Sequence, residues 1–84
     1  MTEYQNLRIG VITMNESTIK FIVSRVIENA NDAFEESKQN PTDDFYKGRK
    51  LAYYEILDTI KSELISHNQD LKEFGLDIDL EKAL

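Results

Sequence analysis

Glu63, His67 and Asp70 are the first residues whose types and spacing invite chemistry. At separations of four and three they share one face of a helix. Carboxylate and imidazole so placed hold divalent metals in di-iron bundles, where the ligands arrive from several helices. Here one helix supplies the whole set, and His67 is the only histidine. The simpler reading is a helix-end histidine that favours the C-terminal dipole when protonated. The three stand as candidate metal ligands against that reading; no catalytic residue and no cofactor are expected.

Other candidates are thinner. Asp77, Asp79 and Glu81 alternate as calcium-loop acids do, but the central glycine and terminal bidentate glutamate are missing. They read as solvated acids on an extended tail. Lys47, Arg49 and Lys50 are the densest basic cluster, yet three basics on one turn point in different directions. Arg49 falls inside an apolar arc, where Glu35 or Glu36 can pair with it. Ser24, Ser62 and Ser66 have no partner beyond the lone histidine, so no nucleophile–base pair assembles.

What positions these residues is a short chain. Its 84 residues suit one domain. A chain of this size buries only roughly 60% of its unfolded surface, so self-association or very good packing must help. With no cysteine, disulfides and thiolate metal sites are excluded. Sixteen acidic against ten basic residues give a net charge of −6, which disfavours nucleic acid as a partner. No stretch approaches the ~20 apolar residues of a membrane span. The acidic polar faces do not suit a membrane surface, and the N-terminus does not resemble a signal peptide. The expected location is the cytoplasm.

Pro41, the single proline, marks a turn at Gln39-Asn40-Pro41-Thr42-Asp43-Asp44. The residue before a proline avoids the helical region, which ends the first helix near Lys38. The spacing predicts helix over 15–38, with Asn15, or Thr13 paired with Glu16, as the cap. At about 100° per residue, Ile19, Ile22, Val23, Val26, Ile27, Ala30, Ala33 and Phe34 fall within one arc of roughly 140°. Phe21 lies off it. A second helix is expected over 43–67, capped by Thr42, with Phe45, Tyr46, Ala52, Tyr53, Ile56, Leu57, Ile60 and Leu64 on one arc. Leu51, Tyr54 and Ile65 form a weaker opposite stripe. Gly48 costs this helix about 1 kcal/mol relative to alanine, and close approach of another backbone or a kink is a reason for it.

Residues 1–14 read as an extended N-terminal segment. Residues 70–84 read as short helical turns and a tail: a turn from Asp70 to Phe74 closed by Gly75, an extended run alternating Leu76, Ile78 and Leu80, and a last turn capped by Asp79.

The run from Phe45 to Lys61 (Phe-Tyr-Lys-Gly-Arg-Lys-Leu-Ala-Tyr-Tyr-Glu-Ile-Leu-Asp-Thr-Ile-Lys) resembles stretches in small uncharacterised helical proteins of Gram-positive bacteria, some associated with mobile elements. The likeness extends to Leu71–Asp77. It implies a compact stand-alone protein and brings no activity or site residue.

The expected fold is therefore all-α, an antiparallel helical hairpin with short C-terminal elements. Two helices alone cannot cover two wide apolar arcs, so a homodimeric four-helix bundle is the simplest completion. Its interface would use Ile19, Ile22, Val23, Val26, Ala30, Tyr53, Ile56, Ile60 and Leu64. Val26→Asp or Ile56→Asp should then abolish folding and assembly together. Phe21, Leu51, Tyr54 and Ile65 form a possible partner patch, unless the C-terminal tail covers it. The function expected first is that of a non-enzymatic interaction or regulatory protein, with a basic protein surface as a further partner. A metal- or ligand-binding enzyme using Glu63, His67 and Asp70 is the alternative. A DNA-binding regulator is disfavoured by the charge.

Overall fold

The computed structural model describes residues 15–83. The segment 1–14, Thr13 within it, and Leu84 lie outside the described residues. Helix α1 spans Glu16–Gln39 and helix α2 spans Asp44–Ser66; 3-10 turns follow at Leu71–Phe74 and Leu80–Ala83. Every regular element among the described residues is helical, with no strand among them.

Asn15 caps α1, its side-chain oxygen accepting from the Ser17 N–H at 2.7 Å. The helix closes where the Asn40 N–H reaches the carbonyls of Glu36 and Ser37. The Asp43 N–H then bonds the Asn40 carbonyl at 3.1 Å, holding residues 40–43 as a turn. That turn carries the chain past Thr42, so the cap of α2 is Asp43 rather than Thr42: its carboxylate accepts from the Phe45 N–H at 2.9 Å. Aspartate is also the stronger cap of the two.

Helix α2 ends in a Schellman closure. Asn68 is left-handed (φ 59°), its N–H bonds the Ile65 carbonyl, and Gln69 reaches back to Leu64 at 2.8 Å. The same device recurs after the first 3-10 turn, where Gly75 is left-handed (φ 75°) and Leu76 bonds back to Leu71 at 3.0 Å. Asp70 caps that turn and Asp79 the last one, each carboxylate accepting a backbone N–H two residues on.

The four-residue turn makes the helices antiparallel, and their seam is closed by the tail. Val23 and Ala30 of α1, Leu57 of α2, and Phe74, Leu76 and Leu80 of the tail form one buried cluster. Val26, Ile27, Phe34, Tyr53, Tyr54, Ile60, Leu64 and Leu71 pack around it. The small residues Ala30 and Ala33 are fully buried, which lets α2 approach α1 closely.

Three sequence expectations are corrected here. The arc drawn for α2 was centred between Ile56 and Ile60. The observed inner face is centred on Leu57, a rotation of roughly 70° at 100° per residue. The tail causes it, because Leu76 and Leu80 pack on the side carrying Tyr54. Phe45, Ala52 and Ile56 are consequently exposed. Second, the tail does not alternate: Leu76 is fully buried and Leu80 nearly so, while Ile78 is 47% exposed. Third, of the two reasons expected for Gly48, close approach of another backbone does not hold, because a Cβ placed there meets nothing within 4 Å.

Candidate functional site

The proposed metal ligands do not converge. His67 is the C-cap of α2, with its Nε2 3.7 Å from Glu63 Oε1, and both side chains are open to solvent. Asp70 is engaged elsewhere, its carboxylate accepting the Lys72 N–H at 3.0 Å. The reason is local: the Asn68 reversal lies between His67 and Asp70, so helical spacing does not extend across it. Among the described residues no group of three histidine, cysteine or acidic side chains is placed to hold a metal ion. Two of the candidate serines bond back to their own helices, Ser24 to the Phe21 carbonyl at 2.7 Å and Ser66 to the Glu63 carbonyl at 3.1 Å.

The feature that stands out is apolar. On the side of the hairpin away from Tyr54 and Leu80, Ile19 is 37% exposed, Ile22 50% and Ile56 44%. Ile60 and Leu64 are half-buried between them and the core. Ile19, Ile22, Ile60 and Leu64 border a recess of about 740 Å³ floored by Val23 and Phe74. A shallower one of about 390 Å³ continues along Ala52, Ile56 and Ile60. Acids edge the strip: Glu16 and Glu63 beside the first recess, Glu55 beside the second. Of the nine residues expected to form an interface, Val23 and Ala30 lie wholly within the monomer core. Val26, Tyr53, Ile60 and Leu64 pack partly on it, and Ile19, Ile22 and Ile56 stand outside.

The second apolar stripe is divided. Tyr54 packs on the core cluster, and with Ile65 and Leu80 it borders a small recess beneath the tail. Leu51 and Ile65 are half exposed, and Phe21 is exposed on the far side of α1. The four residues do not form one patch.

Polar contacts fasten the tail and the turn end. Lys20 of α1 donates to Glu73 Oε1 at 2.8 Å and lies 5.7 Å from the centre of the Phe74 ring. That hydrogen bond raises the Lys20 ammonium above its ordinary value. It also holds the Glu73 carboxyl below its own. Lys61 of α2 donates to the Ile78 carbonyl. Near the turn, Arg49 pairs with Glu36 and sits 5.6 Å from the Tyr53 ring centre. Of the two acids expected for Arg49, Glu36 is its partner; Glu35 lies 3.8 Å from Lys38.

Among the described residues, fold and surface together define an all-helical hairpin with one covered and one exposed apolar face. No family model, no curated protein and no solved structure matches the chain. No described helix is long and apolar enough to cross a membrane.

Proposed function

We propose that this chain is a cytoplasmic, non-enzymatic interaction protein, regulatory or accessory in role, that works as a homodimeric helical bundle. The observation that carries the reading is the strip of Ile19, Ile22, Ile56, Ile60 and Leu64, exposed or half-buried with no described residue laid across it. Two such strips brought together by a two-fold axis would place four helices around one new apolar seam. The acidic edges of Glu16, Glu55 and Glu63 give this association a sign. Two copies repel each other through these edges, so added salt should tighten the dimer by screening. A partner with a basic surface would be released by the same salt.

Sedimentation equilibrium over a wide concentration range, at low and at high salt, tests the reading. A dimer that tightens with salt and is lost in Ile22→Asp/Ile56→Asp, with helical circular dichroism retained, is the expected result. A native chain that stays monomeric throughout would overturn the homodimer.

A further inference from the structure

At the turn end of the hairpin, far from the Ile19–Leu64 strip, lies a recess of about 560 Å³ with unusual walls. Lys38 from the end of α1, Lys47 and Lys50 from the start of α2, and Lys82 from the last 3-10 turn all line it. Four of the ten basic residues of a chain with net charge −6 thus border one cleft. No carboxylate among the described residues lines it. Its apolar lining comes from Phe34, Leu51 and the turn proline Pro41. The expectation that the basics of this helix diverge holds for Arg49, which turns to Glu36, but not for Lys47 and Lys50. These are three apart and therefore share a face.

We propose that this recess binds a small amphiphilic anion: one carboxylate, sulfonate or phosphate carried on a hydrocarbon body. Lysines set around an apolar floor place positive potential at the rim, where an anionic head stays partly hydrated. The floor takes the apolar body out of water. A volume near 560 Å³ is that of a small-molecule site. Lys38 already lies 3.8 Å from Glu35, which an incoming anion would displace or share. The site draws on α1, α2 and the tail together, so it exists only in the folded chain. It does not depend on dimerisation.

The probe is free decanoate, with decanol and acetate as controls, followed by amide chemical shifts in the native chain. Decanoate is expected to shift the amides of Phe34–Lys38 and Lys47–Leu51 saturably and to weaken with added salt. Neither control should shift them comparably. Lys47→Glu/Lys82→Glu, with its circular dichroism unchanged, should bind decanoate about tenfold more weakly or worse. If that variant fails to fold, the salt dependence of the native chain decides instead. Equal shifts from decanol, or decanoate shifts confined to Ile19, Ile56 and Ile60, would overturn the site. So would co-sedimentation with phosphatidylglycerol vesicles in the absence of any decanoate shift, which would assign the lysines to a bilayer surface.

Discussion

On one face of the hairpin Leu76 and Leu80 pack against Val23 and Leu57; on the other, Ile19, Ile22 and Ile56 are exposed, with no described residue laid over them. The helices offer both faces similar material, branched aliphatic side chains at helical spacing. The difference comes from the tail, which follows α2 through a left-handed Asn68 and a left-handed Gly75 and returns along one side only. Apolar periodicity therefore marks which residues avoid water, and a third element decides which of them the monomer itself can cover.

The sharpest way to break this contrast is on the covered face. Leu76→Ala removes a fully buried side chain and should cost about 2–5 kcal/mol in urea denaturation, a large share of what so small a domain has. A cost below about 1 kcal/mol would mean that the tail is not part of the core. Gly75→Ala comes next. Its added Cβ would sit 3.6 Å from Ile27 Cδ1, an ordinary contact, so the expected loss of roughly 1 kcal/mol is the backbone's, from a positive φ that alanine resists. On the open face, Ile56→Asp should change monomer stability by no more than about 0.5 kcal/mol, because the side chain already meets solvent. Folding and assembly thus separate at Ile56, where the sequence alone expects them to fail together.

The smallest effect belongs to the clasp between Lys20 and Glu73. Since the folded protein holds Glu73 below its ordinary value of 4.5, its contribution is complete above that value. It fades as pH falls through the depressed one. Lys20, raised above 10.5, contributes fully below that value and loses its share as pH rises through the higher one. Glu73→Gln should flatten the acid limb of stability against pH. An unchanged limb would show that the pair does not fasten the tail.

Much of this architecture is legible in the sequence. The 3.6-residue spacing from Ile19 to Phe34 marks α1, Pro41 marks the turn, and Asn15, Asp70, Gly75 and Asp79 each stand at a cap or closure that the structure uses. The rotation of α2 is not legible, because its two stripes lie nearly opposite and either can face inward until the tail is placed. Nor is the outward turn of Ile78. Alternation assumes a straight strand, whereas here 3-10 turns flank the segment and bring Leu76 and Leu80, four residues apart, to the same side. The lysine-lined recess escapes sequence reading for a related reason: its walls come from three elements whose meeting only the fold specifies.

The late position of the tail also has a consequence for how the protein is made. Ser66, the last residue of α2, is synthesised before Leu80, and at about 5–20 residues per second the interval is roughly 1–3 s. Helices form within about a microsecond, so α1 and α2 are complete long before their cover arrives. For that interval the nascent hairpin shows both of its apolar faces at once. It is then most exposed to capture by chaperones and to mispairing with neighbouring chains.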